Sequence, residues 1–208
     1  MKKFEYTPPE QPRELILKLG QKITDRIGHT VTAEDPEYYG LEALVTDEMA
    51  EVALKMKVRK PMTLAQAVKA TGKEEKVLEE LLQEMSNIGL LEYNWENPKH
   101  EKQYVLPMYV PGSAEFFNMK LDQIKEHPEV ASFFERMAFL PLQKVTPMVP
   151  PGGAGIGMHV IPVEKAIETE NESVSVEHIS HWLDKYDGKY AAGPCSCRYS
   201  RGVLGEGC

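Results

Sequence analysis

Three residues in this chain have the type and spacing for inorganic chemistry: Cys195, Cys197 and Cys208, all within the closing stretch "AAGPCSCRYSRGVLGEGC". The first 194 positions contain no cysteine. In an extended stretch, residues two apart point to one side about 7 Å from each other, so Cys195 and Cys197 can present two sulfurs to a single centre. Cys208 follows after ten residues that include Gly202, Gly205 and Gly207. These glycines let the chain turn tightly and bring backbone N–H groups close to sulfur. Pro194 stiffens the entry, and Arg198 and Arg201 place positive charge beside an anionic site. Thiolate-rich sites suit iron–sulfur clusters and zinc, whereas two residues is poor spacing for a disulfide. Free structural or redox-active thiols are the plainer alternative.

Three thiols fall one short of the four ligands usual for a [4Fe-4S] cluster or structural zinc. The sequence stops just after the third. The expectation is therefore a further ligand downstream or on another subunit, or a cluster with one open iron.

The elements that must carry this segment are mostly helical. "RELILKLGQKITDRIG" places Leu15, Leu19, Ile23 and Ile27 at four-residue spacing, with Pro8, Pro9 and Pro12 before it and a turn-like "EDPEYYG" after it. "LEALVTDEMAEVALKMKV" predicts one helix with Leu41, Leu44, Val45, Met49, Val52 and Met56 on one side. In "TLAQAVKATG", Thr63 and Gln66 have capping-box spacing and Gly72 is a stop. "EEKVLEELLQEMSNIG" turns Val77, Leu78, Leu81, Leu82 and Met85 inward and ends at Gly89. Two strand candidates come next, "LLEYNW" and "QYVLPMY", separated by the turn-rich "ENPKHEK". Three helices and a hairpin are the order of a winged helix. The segment resembles MarR-like and ArsR-like winged-helix domains, above all in "VLEELLQEMSNIGLLEYN".

The expected organisation is a mainly α protein with a small β-hairpin, in four parts. Residues 1–40 form an N-terminal helical arm, 41–110 a winged helix-turn-helix domain, 111–190 a helical and Pro/Gly-rich region, and 191–208 the cysteine-containing tail. Pro111 and Pro128 open the helices of the third part, which holds Phe116, Phe117, Phe133, Phe134 and Phe139.

Charge separates the functional classes. The 208-residue chain carries a net charge of −8 with 42% hydrophobic and 27% charged residues, an ordinary soluble composition that disfavours wholesale binding to nucleic acid or anionic membrane. From Lys73 to Glu84, two lysines stand against Glu74, Glu75, Glu79, Glu80 and Glu84, which sets the third helix of the winged-helix segment against DNA phosphates. In the presumed wing, Lys99 and Lys102 are offset by Glu96 and Glu101. "GGAGIG" at 152–157 lacks the buried strand that a dinucleotide loop needs, because "TPMVPP" precedes it, and Pro162 interrupts the stretch after it. His178 and His181, three apart, read as a solvated helix face; His29, His100, His127 and His159 have no ligand spacing. Neither a leader segment nor a membrane span is evident, and reduced cysteines fit a cytoplasmic location.

A second resemblance rests on "GPCSCRYSRGVLGEGC" together with the winged-helix segment. The pair is similar to the N-terminal part of 4Fe-4S ferredoxin-type and FAD-dependent iron–sulfur oxidoreductases of anaerobic bacteria. That resemblance implies that Cys195, Cys197 and Cys208 are cluster ligands in electron transfer, with a redox partner protein or downstream ferredoxin-like module as partner and FAD or NAD only on a domain outside this chain. The winged helix and N-terminal helix would dock partner domains or a second subunit. The competing readings are a redox- or metal-responsive transcription regulator and a zinc-stabilised interaction module.

Overall fold

The computed structural model describes residues 6–133, 179–189 and 193–205. The chain divides into two compact units, Met1–Leu142 with Pro194–Cys208, and Gln143–Gly193. Its described residues are mainly helical, with one three-stranded antiparallel sheet. No helix among the described residues is long and apolar enough to cross a membrane.

In the larger unit, helix α1 (Glu14–Ile23) buries Ile16, Leu19, Gly20 and Ile23, an i, i+3, i+4, i+7 stripe. It ends before the apolar spacing does, and Ile27 is fully exposed instead of facing the core. The cause is polar. Thr24 turns extended, and its hydroxyl donates to Glu37 Oε1 at 2.6 Å, while Arg26 reaches Glu37 and Asp35.

Helix α2 (Pro36–Leu44) occupies the stretch expected to be a turn. Pro36 sits at its first position, where a missing N–H is harmless, and Tyr38, Tyr39 and Leu41 are buried. The long helix expected from Leu41 onward is divided: Thr46 caps a separate helix α3 (Asp47–Lys55) by accepting from the Met49 N–H at 3.2 Å. Of the apolar positions expected on one side, Leu41, Val45, Met49, Val52 and Met56 are nonetheless buried, and Leu44 is half-buried.

Strand β1 (Met62–Thr63) precedes helix α4 (Leu64–Thr71), whose Thr63–Gln66 capping box is formed in both directions. Gly72 closes α4 in the left-handed region at φ 71°, and Gly89 closes helix α5 (Glu75–Ile88) at φ 96°. Helix α5 buries Leu78, Leu82 and Met85; Val77, expected inside, is half-exposed. Strands β2 (Glu92–Asn94) and β3 (Gln103–Val105) form the hairpin, and β3 is central in the order β1-β3-β2. Tyr104 on β3 pairs with Met62 and with Tyr93.

The helix expected through 114–127 is interrupted. Helix α6 (Ser113–Phe117) stops at Asn118, and α7 (Leu121–Glu126) and α8 (Pro128–Ala131) come after it. Phe117 and Phe133 are buried in the common core; Phe134 and Phe139 lie outside the described residues. In the smaller unit, helix α9 (Ile179–Lys185) is exposed from Ser180 onward, with Trp182 stacked on Tyr186.

Candidate thiolate site

Helix α10 (Ser196–Val203) carries the segment that holds two of the three candidate ligands. Cys195 is its N-cap residue and Cys197 lies in its first turn, and both are exposed free thiols. This corrects the extended geometry expected for the pair. Successive helical residues rotate by about 100°, so residues two apart diverge around the axis and are not stacked on one side. A helix is favoured here because Tyr199, Ser200, Val203 and Leu204 together make one face that packs on the main body, leaving Cys195, Cys197 and Arg198 outward. Gly202 is helical, and Gly205 just beyond takes the left-handed conformation at φ 74°. Cys208 lies outside the described residues.

The placement of the thiols is set by a polar anchor buried under the helix. Ser200 Oγ lies 2.6 Å from Asn118 Oδ1 and 2.7 Å from the Ser196 carbonyl. Asn118 Nδ2 donates to the carbonyls of Ala114 at 2.8 Å and Val130 at 3.2 Å, which orients the amide and leaves Oδ1 as the acceptor for the serine. Both side chains are fully buried. Helix α10 packs on α7 and α8, so its first turn is held at the surface of the larger unit.

That turn suits sulfur ligation in part. The opening N–H groups of a helix have no intrahelical acceptor, and the dipole favours negative charge there. The first hydrogen bond of α10 runs from Tyr199 N–H to Cys195 O at 3.0 Å. Cys195 and Cys197 are exposed beside these donors and the exposed Arg198, on diverging sides of the helix start, and Cys195 makes no side-chain cap hydrogen bond. Arg201 is half-buried and engaged with other groups. Among the described residues, no group of three or more Cys, His, Asp or Glu side chains is gathered as a metal site.

The remaining candidates are dispersed. His181 is exposed on α9, edge-on to Trp182, whereas His178, His159 and the 152–157 glycine loop lie outside the described residues. His127 Nδ1 is 3.4 Å from Glu129, and His100 sits on the hairpin turn.

His29 belongs to a cluster that sequence spacing did not reveal. Glu37, fully buried on α2, accepts from Thr24 and from two nitrogens of Arg26. Arg26 also donates to Asp35 Oδ1 at 2.8 Å, which His29 Nε2 approaches at 3.0 Å. Burial alone would raise the Asp35 carboxyl; the Thr32 N–H, Arg26, His29 and the Thr32 hydroxyl outweigh it and hold it down to about 2. The cluster ties the 24–35 loop to α2 and is a structural clamp. Only Thr32, three residues before Asp35, signals it locally.

Compared with family models, with curated protein sequences and with solved structures, the chain matches none of them.

Proposed function

We propose that this chain is the N-terminal portion of an iron–sulfur oxidoreductase of the cytoplasm, with Cys195, Cys197 and Cys208 as ligands of a [4Fe-4S] cluster. The observation that carries the reading is the outward display of Cys195 and Cys197 at the start of a helix whose opposite face is anchored in the core through Ser200 and Asn118. A thiol kept for packing is buried; these stand accessible on an anchored helix. A bound cluster supplies one-electron transfer. The chain's own part is to provide thiolates, to direct the first-turn N–H groups at sulfur, and to balance charge with Arg198. The fourth ligand, and any flavin or nicotinamide module, belongs to a downstream segment or a partner.

The segment from α3 to β3 is read as a winged helix serving as an interaction module. Its support is the succession helix, strand, helix, helix, strand, strand, with the short β1 added to the hairpin on β3. The solvent side of α5 carries Glu75, Glu79, Glu80 and Glu84 with Lys76, which opposes insertion among phosphates.

The test is anaerobic reconstitution with iron and sulfide, followed by metal and sulfide analysis and visible absorption. The expected product is brown, contains both elements and bleaches on one-electron reduction. Cys195→Ser and Cys197→Ser lose most of that absorption. A colourless protein holding stoichiometric zinc would remove the electron-transfer reading. Salt-dependent, sequence-specific binding to a DNA duplex would favour the regulator.

A further inference from the structure

The turn between α3 and β1 concentrates positive charge in an acidic protein. Lys55, Lys57, Arg59 and Lys60 stand within six residues and are all exposed, whereas the whole chain has a net charge of −8. The turn is shaped by its backbone. Arg59 N–H donates to Leu106 O at 2.8 Å, Lys60 N–H donates to Lys57 O at 3.1 Å, and Val58 bridges to Leu106. Arg59 is held in the left-handed region at φ 57°, which a side chain other than glycine adopts only under constraint. Among the described residues, no salt bridge engages these four cations. The same is true of Glu75, Glu79, Glu80 and Glu84, which are exposed on α5 on either side of Lys76. One molecule thus offers a basic turn and a helix whose exposed carboxylates outnumber its one lysine, Lys76, with no salt bridge on either among the described residues.

We propose that the Lys55–Lys60 turn docks the carboxylate face of α5 from a second copy of this chain. The two contacts form reciprocally in a two-fold dimer, turn to helix and helix to turn. Closed symmetry satisfies both patches at once and leaves none to propagate a filament. A duplex is the poorer occupant, because the net charge of −8 and the acidic α5 oppose the approach of phosphates. The net charge of each copy opposes association, so the complementary patches supply both orientation and attraction. Such an interface is weak and salt-sensitive, since screening shortens from about 30 Å at 0.01 M salt to about 3 Å at 1 M. The inference does not depend on the thiolate site.

Sedimentation equilibrium of the whole chain, before and after cluster reconstitution, tests it. The expected result is a dimer at low salt whose dissociation constant rises at least about tenfold by physiological ionic strength. Lys57→Glu/Arg59→Glu/Lys60→Glu and Glu75→Lys/Glu79→Lys/Glu80→Lys should each be folded by circular dichroism and monomeric. Mixed one to one, the two variants should form a heterodimer, because every reversed patch then meets its complement. A wild type that is monomeric throughout would overturn the proposal, as would a dimer that survives either reversal. Binding of a short duplex at the turn by a monomeric wild type would overturn it in favour of nucleic acid. Failure to take up iron and sulfide would count against the cluster while leaving these results readable.

Discussion

Ser200 and Asn118, separated by 82 residues in sequence, meet in a fully buried hydrogen bond of 2.6 Å. The serine sits on the cysteine-bearing helix and the asparagine at the break between α6 and α7, so this contact joins the thiol-bearing segment to the core. The asparagine amide is committed to two carbonyls, so the serine hydroxyl is the donor its oxygen needs.

Ser200→Ala should therefore destabilise the unit by about 1–3 kcal/mol, because it leaves the Asn118 oxygen buried without a donor. Hydrogen exchange should show the largest loss of protection in 196–203. Loss spread evenly over the unit, or no loss at all, would mean that the apolar face of α10 holds the helix alone.

Arg26→Met should cost on the order of 3–5 kcal/mol, measured by urea unfolding, because Glu37 would be left wholly buried without its cationic partner. Adding Glu37→Gln should recover part of that loss. If Arg26→Met were as stable as the wild type, the 24–35 loop would have to be held by Gln21, whose side chain bonds His29 O and Val31 N–H.

Asp35 makes a pH-dependent contribution. Its carboxyl is shifted from 3.8 down to about 2 in the folded chain, so it stabilises above the unfolded value and that contribution is lost as pH falls toward 2. The stability gap between wild type and Asp35→Asn should be constant near neutral pH and narrow by roughly 2 kcal/mol between about pH 4 and 2. A gap independent of pH across that window would remove the carboxylate from the account.

Two helix stops should respond differently to alanine. At Gly72, φ is 71° and a new Cβ meets nothing within 4 Å, so Gly72→Ala should lose only the left-handed penalty of about 1 kcal/mol. At Gly89, φ is 96° and the Cβ would stand 2.8 Å from the Phe116 backbone carbon. Gly89→Ala should lose at least about 1–3 kcal/mol more, as melting temperatures would show.

Features governed by neighbours in sequence were legible from residue type and order alone. The Thr63–Gln66 box and the stops at Gly72 and Gly89 need only local geometry, and each formed where its residues stand. The burial of Leu78, Leu82 and Met85 comes from helical period. The end of α1 was not legible, because the apolar spacing runs on and the boundary is set by a bond from Thr24 to Glu37, thirteen residues away. The division between α2 and α3 has a local signal, Thr46 capping the Met49 N–H, but the apolar spacing that continues through it masks the break. Strand β1 is too short for alternation to signal; its identity comes from its partner β3.

The same division holds for the site. The sequence by itself determined that the thiols are confined to one short segment, that arginines and glycines accompany them, and that α5 is acidic, since these depend on residue type and local order. Only the tertiary structure decided that "CSCRYSRGV" is a helical segment and that Cys195 and Cys197 face solvent. That outcome depends on Tyr199, Ser200 and Val203 finding a surface made by residues some 70–80 positions earlier, and contacts across such a separation leave no period in the chain to read.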